Sequence, residues 1–218
     1  GKAATNAKCF DVGTPTLATM LKAEGYRTYL AGKWHMGSDS INGPQFHGFD
    51  ESYGSIAGAC GMYDHRYRTG KYEQTWHRNQ KLIKGSEDGV HVTDLVTAEA
   101  QRVIRQPSAN PFFMMLTYHA PHTPLDERGE FTEVPTQRDP NNPARWLNED
   151  KIRWFNDPQG KIQREPDPEK RLFLAVVYHL DDAIGQVVAT LEEEGKLENT
   201  LILFSSDNGP QINWSGNA

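Results

Sequence analysis

The chain has 218 residues, 37% hydrophobic and 24% charged, with a formal net charge of −6. That length can bury one sizeable core, and the composition is that of a polar globular protein. A net negative chain with no Lys/Arg run disfavours nucleic acid as a partner, so an anionic substrate would need a local cluster of cations. No purely apolar run, Phe112 to Leu116 and Leu172 to Tyr178 included, approaches the roughly 20 residues of a membrane span. Cys9 and Cys60 are the two cysteines, too few for a disulfide framework and without zinc spacing. The chain starts at Gly1 rather than Met, which leads to the expectation of a processed or trimmed N-terminus and leaves the compartment unread.

Residues 1–13 show no clear period. Thr14 can cap a helix, with Pro15 in its first turn, and Leu17, Met20 and Leu21 form an apolar stripe ending at Gly25. Tyr26 to Ala31 then reads as a strand. Residues 38–89 are rich in Gly, aromatic and polar residues, with turn signals throughout and no long helix. Trp76 to Ile83 suggests a short hairpin. Thr93 to Arg105 carries Leu95, Val96, Ala100, Val103 and Ile104 at helical spacing. Phe112 to Tyr118 is a short apolar run bounded by Pro111 and Pro121, as in a buried strand. Residues 126–168 hold six of the thirteen prolines and read as a long loop excursion, with a short helix near Leu147 to Phe155. Glu169 to Glu194 is the strongest helix, with Leu172, Val176, Leu180, Ile184, Val187, Val188 and Leu191 on one face. Thr200 to Ser206 is a further apolar strand.

Three times a helix leads into a strand, and three times that strand ends in chemically capable residues: Lys33 and His35, His119 and His122, Asp207 and Asn208. The alternation implies an α/β fold with a mostly parallel sheet flanked by helices. Parallel strands share one carboxyl edge, where ligands bind in open α/β sheets, so these groups are expected to meet there.

Each group also has a plainer reading. Asp207 and Asn208 offer the oxygen donors that Ca²⁺ or Mg²⁺ takes, but Asn-Gly is also a common turn. His119-Ala-Pro-His122 could bind a metal, donate a proton or form a rigid turn. Lys33 follows a Gly, but Walker spacing is absent. Asp181 and Asp182 read as a solvated helix face. No Gly-x-Ser-x-Gly elbow is present, which disfavours a serine esterase on an α/β-hydrolase fold.

The stretch GYRTYLAGKWHMG, residues 25–37, resembles the second signature of the type I sulfatases, usually Gly-Tyr-x-Thr-x-x-x-Gly-Lys-Trp-His-Leu-Gly, with Met36 in place of Leu. PFFMMLTYHAPHTPL and LDDAIGQVVATLEEEGKLENTLILFSSDNG are similar to the family's Pro-Phe-Phe-to-Pro-His-x-Pro segment and to its helix, strand and metal-binding Asp-Asn-Gly. The resemblance runs in register over about residues 14–210. It implies an alkaline-phosphatase-like α/β fold, incomplete here, and hydrolysis of sulfate esters of carbohydrates or aryl groups. By the same resemblance, Lys33 binds sulfate and His35 activates the nucleophile. His122 contacts the sulfate and assists the leaving group, while Asp207 and Asn208 are Ca²⁺ ligands (Mg²⁺ being the alternative). A periplasmic, extracellular or lysosomal setting is likewise implied.

The family nucleophile is a formylglycine made from Cys or Ser in Cys/Ser-x-Pro-x-Arg, a motif these 218 residues lack; Cys9 is followed by Phe-Asp-Val-Gly. The expectation is therefore a central piece of a sulfatase catalytic domain, spanning residues 1–218, with its nucleophile upstream and no turnover of its own. A phosphate or phosphonate ester hydrolase of the same superfamily, and a non-catalytic anion- or glycan-binding relic, are the rival readings.

Overall fold

The computed structural model describes residues 11–37, 42–66, 75–123, 125, 138–139, 142–146, 165 and 168–209. The chain divides into two compact units, Gly1–His119 and Ala120–Ala218.

In the first unit, helix α1 (Leu17–Ala23) leads into strand β1 (Arg27–Lys33). Strand β2 (Glu51–Ser55) follows, then the hairpin strands β3 (Trp76–Arg78) and β4 (Lys81–Leu82). Helix α2 (Val92–Ile104) and strand β5 (Phe112–Thr117) complete the described elements of this unit. The strands lie in the order β4-β3-β2-β1-β5. β1 pairs in parallel with β2 and β5, while β2–β3 and β3–β4 are antiparallel. The sheet is thus mixed: β1 and β2 are joined by a crossover that holds a 3₁₀ turn, Pro44–His47, whereas the β3–β4 hairpin can join only antiparallel neighbours.

β1 is buried on both faces, as a central parallel strand should be. Its alternate side chains enter different clusters. Leu30 packs with Ala18, Trp34, Phe49 and Ile56 on the α1 side. Ala31 packs with Tyr53, Cys60, Met62, Trp76, Val92 and Val96 on the α2 side. Val92, Val96, Ala100 and Ile104 are fully buried, so α2 has the apolar face its spacing predicts. His91 caps it, its Nδ1 accepting from the Thr93 amide at 3.1 Å.

The amino ends of β1 and β2 are tied by the ion pair of Arg27 with Glu51 at 3.2 Å. Arg102 bridges Glu51 at 2.8 Å and Glu99 at 2.6 Å, and Arg78 binds Glu99 at 2.9 Å. The carboxyl ends, where Lys33 and His35 stand, lie at the other extreme of the same strands.

Three sequence expectations about this unit need correction. Helix α1 is capped by Thr16, not Thr14: Thr16 and Thr19 bond reciprocally in a capping box. Its predicted stripe faces outward, with Leu17 56% and Met20 61% exposed, and Ala18 is buried instead. The Gly48 backbone approaches the helix beside it so closely that a Cβ on Gly48 would stand 2.5 Å from the Thr19 nitrogen. Strand β5 is half-exposed rather than buried, since among the described residues only β1 lies beside it.

In the second unit, helix α3 (Pro168–Glu193) buries Leu172, Ala175, Val176, Ala183, Val187 and Leu191. Leu172, Ala175 and Val176 pack with Ala120 and Leu125. The stretch Leu172–Glu193 is long and apolar enough to cross a membrane by length and composition, but its buried residues recur at the spacing of an amphipathic core helix. Asp181 and Asp182 are exposed, as expected. Strands β6 (Arg138–Asp139) and β7 (Asn142–Trp146) form a small antiparallel ladder inside the predicted excursion. The suggested helix near Leu147 to Phe155 lies outside the described residues. The predicted strand at Thr200 to Ser206 is not formed: after a 3₁₀ turn, Leu197–Asn199, residues 200–209 carry no ladder bonds among the described residues. Leu201, Leu203 and Phe204 are each more than 80% exposed. Apolar and β-favouring side chains do not make a strand without a neighbour to complete its backbone bonds.

Candidate active site

Lys33 and His35 stand where the close packing of three strands ends. Gly32 is opposite Gly54 on β2 and Thr117 on β5. A Cβ on Gly32 would lie 2.0 Å from the Thr117 carbonyl oxygen, and one on Gly54 would lie 2.1 Å from that of Gly32. Both glycines have positive φ, +119° and +135°, a region open to glycine and closed to most side chains. The Thr117 hydroxyl donates to the Lys33 carbonyl at 2.7 Å. The strand that carries Lys33 is thereby fixed from both sides.

The parallel ladder continues past the end of β1. The Trp34 amide donates to Ser55 O at 2.8 Å and the His35 amide to Ile56 O at 3.1 Å. Trp34 turns inward: its Nε1 donates to Asn42 O at 2.8 Å, and its ring stacks on His47 and meets Phe49 edge-on. His35 has φ 51°, a left-handed backbone that costs a non-glycine residue energy and recurs at functional sites. Its side chain is exposed and that of Lys33 half-buried.

Under this edge lies Cys60, 2% exposed. Burial pushes its thiol up to about 12, against small opposing influences from Ser55 and Lys33. At neutral pH it is a protonated, inert thiol. Nearby, Glu87 accepts from the Tyr53 hydroxyl and from Trp76 Nε1, and burial, then Glu87, raises the Tyr53 phenol. The Trp76 ring stands 6.1 Å from that of His119. His119 is 4% exposed, two residues beyond the end of β5, so the first unit brings it to the same carboxyl edge as Lys33 and His35.

His122, Asp207 and Asn208 belong to the second unit. His122 is exposed, and its Nδ1 lies 2.6 Å from Thr123 O. A carbonyl can only accept, so Nδ1 carries the hydrogen and Nε2 is the nitrogen that can exchange a proton in the neutral ring. Asp207 and Asn208 are exposed. The Asn208 amide nitrogen donates to Gly209 O at 2.8 Å, and the Ser206 hydroxyl donates to Asn208 O at 2.6 Å. That leaves the Asp207 carboxylate and Asn208 Oδ1 as hard oxygen donors of the kind Ca²⁺ takes; two such residues contribute to a coordination shell without completing it.

Sequence reasoning missed β2 and the turn after it, residues 55–58, which back the His35 ring. Gly54 and Gly58 within the run Gly-Ser-Ile-Ala-Gly were the available signal, since glycine in a strand marks close approach of another backbone.

The sequence model of the sulfatase family, described as "Sulfatase", matches residues 4–218. Curated relatives include arylsulfatase J of Mus musculus, 27% identical over 97% of this chain and 32% of the relative. Another is the arylsulfatase of Klebsiella aerogenes, 25% identical over 89% of this chain and 47% of the relative. N-acetylgalactosamine-6-sulfatase of Mus musculus is 27% identical over 90% and 33%. Among solved structures, Ps i-CgsB in complex with k-i-k-neocarrahexaose superposes with a TM-score of 0.70 at 24% identity, covering 98% of this chain and 45% of that one. BT4656, solved with its substrate D-glucosamine-2-N,6-O-disulfate, has a TM-score of 0.58 at 19% identity, covering 90% and 50%. The chain belongs to the sulfatase family, and its fold is the α/β fold of these structures. It spans about a third to a half of the length of these curated relatives.

Proposed function

We propose that this chain is the central part of the catalytic domain of a sulfuric ester hydrolase acting on a sulfated carbohydrate or an aryl sulfate. The observation that carries the proposal is the family match over residues 4–218, together with Lys33 and His35 at the carboxyl end of β1. The named relatives are arylsulfatases and an N-acetylgalactosamine-6-sulfatase, and one structural neighbour holds a sulfated glucosamine. These support a sulfated glycan or small aryl ester as the substrate class, and the family supports a periplasmic, extracellular or lysosomal setting.

In this reading Lys33 sets a positive charge against the sulfate oxygens, where charge accumulates in the transition state. His35 holds the nucleophile by a hydrogen bond. His122 delivers a proton from Nε2 to the departing alkoxide, while Thr123 O fixes the ring's other nitrogen as a donor. Asp207 and Asn208 hold Ca²⁺, or Mg²⁺ in its place. A bound divalent ion supplies Lewis-acid stabilisation of charge on the sulfate oxygens. The nucleophile, a formylglycine, is assigned to a Cys/Ser-x-Pro-x-Arg segment upstream of these residues.

The test uses the protein that carries this chain together with such a segment. His122→Ala lowers kcat by about 10²–10⁴-fold on alkyl sulfates, whose leaving group needs a proton, and much less on 4-nitrophenyl sulfate, whose leaving group does not. Equal losses on both substrates, or none, remove the acid role.

A further inference from the structure

We infer that Gly58 is a positioning residue for the His35 imidazole: the side chain it lacks is the space in which the ring sits. The inference rests on the reading of His35 as an active-site group. A Cβ at position 58 would stand 2.2 Å from Nε2, 2.4 Å from Cε1 and 2.5 Å from Cδ2 of His35. Its three nearest neighbours are thus atoms of one ring. Gly58 is also unlike Gly32 and Gly54, because it has no positive φ. An L residue could adopt its backbone. What position 58 forbids is volume.

Both backbones that meet here are held. On one side, the Trp34 and His35 amides are bonded to Ser55 O and Ile56 O. On the other, the Ile56 amide donates to Thr75 O at 3.1 Å and the Ala57 amide to Thr75 Oγ1 at 2.8 Å. The Ser55 hydroxyl donates to Ala57 O at 2.9 Å. Moving either main chain breaks these bonds, so the softest response to a methyl group at 58 is rotation of the His35 side chain out of its rotamer. An ordinary carbon contact needs about 3.5–4.0 Å, so the imidazole is displaced by about 1 Å or more, a misplacement that costs on the order of 10²-fold in rate where geometry governs the reaction.

Two other glycines serve as comparators. A Cβ at Gly61 would meet Asp64 Oδ1 at 2.1 Å, so Gly61→Ala displaces a flexible carboxylate, and one at Gly185 would meet nothing within 4 Å.

The test begins with a double-mutant cycle on unfolding of the chain, which needs no assay of catalysis. Gly58→Ala lowers the unfolding midpoint when His35 is present, and the loss disappears in a His35→Ala background, where the methyl occupies the vacated space. Equal losses in both backgrounds overturn the inference. Carbon–proton spectra of the eight histidines report the ring itself. Gly58→Ala moves the His35 signal and leaves the others, whereas Gly61→Ala and Gly185→Ala leave His35 in place; an unmoved His35 in Gly58→Ala overturns the inference. In the sulfate-hydrolysing protein, Gly58→Ala lowers kcat by about 10²-fold with KM within about twofold, and shifts the pH-profile limb that His35→Ala abolishes. Coupling in the cycle with unchanged kcat overturns the positioning role. Absence of sulfate turnover in the native protein refutes the proposed function instead, and the cycle still decides whether Gly58 seats the ring.

Discussion

Gly32→Ala should disrupt the first unit far more than its one added methyl suggests. The new Cβ would lie 2.0 Å from the Thr117 carbonyl oxygen, 2.6 Å from its carbon and 2.9 Å from its hydroxyl. These atoms belong to the neighbouring strand, and β1 cannot retreat from them, because Gly54 packs equally closely on its other side. Three costs combine. Holding alanine at φ +119° costs about 1–3 kcal/mol. Overpacking a close-packed interior costs about 1–3 kcal/mol. Losing the Thr117 hydroxyl bond to Lys33 O costs about 1 kcal/mol. The sum, roughly 3–7 kcal/mol, is a large share of the 5–15 kcal/mol typical of a domain. Gly185→Ala is the matched control: position 185 is an exposed interior position of α3 with open space around it, where alanine should stabilise by about 0.5–1 kcal/mol. Urea unfolding followed by circular dichroism measures both. A Gly32→Ala loss below about 1 kcal/mol, or losses of the same size at both positions, would refute the argument that the three strands meet at a contact only glycine permits.

Glu99 is 6% exposed and accepts four hydrogen bonds from Arg78 and Arg102. Burial alone would raise its carboxyl, but the arginine donors outweigh burial and hold it below the usual range. Glu99→Gln should therefore cost about 2–3 kcal/mol at neutral pH, at the low end for buried pairs because both arginines are partly exposed. A folded-state value below the unfolded one means that this stabilisation is present above about pH 4.5 and is lost as pH falls through the folded value. A stability difference between native and variant that stays constant from pH 7 to pH 3 would contradict this account. The Leu201 to Phe204 stretch presents apolar side chains to solvent without ladder bonds, the arrangement that drives self-association. Leu203→Lys combined with Phe204→Lys should keep the chain monodisperse at concentrations where the native chain forms larger species; identical sedimentation profiles would count against that surface as the cause.

The legible part of the sequence was periodic or punctuated. Helix α2 follows its apolar spacing to within a residue or two, and α3 runs from Pro168 to Glu193 against an expectation of Glu169 to Glu194. The Trp76 to Ile83 hairpin also forms, as β3 and β4. Strand β2 was not legible because Glu-Ser-Tyr-Gly-Ser has neither alternation nor an apolar run. It is a strand because β1 and β3 flank it and supply its bonds. Tertiary context worked the other way at Thr200 to Ser206, where a strong strand pattern lacks a neighbour among the described residues. Of the candidate site, Lys33 and His35 were legible from the Gly-Lys-Trp-His turn itself. The seat of His35 was not, since it is built by Ser55, Ile56, Gly58 and Thr75, which only the fold brings together. The Arg78–Glu99 and Arg102–Glu51 ion pairs were equally hidden, as the partners of each are far apart in sequence.

The central claim is that Lys33 serves a sulfuric ester hydrolase. It is tested most directly by kcat/KM for 4-nitrophenyl sulfate and 4-nitrophenyl phosphate, measured side by side on a protein that carries this chain together with a Cys/Ser-x-Pro-x-Arg segment, native and as Lys33→Ala. The account predicts sulfate turnover that exceeds phosphate turnover and falls by about 10²–10³-fold when Lys33 is removed. A native protein that prefers the phosphate ester, or a Lys33→Ala variant that hydrolyses the sulfate at the native rate, would contradict it.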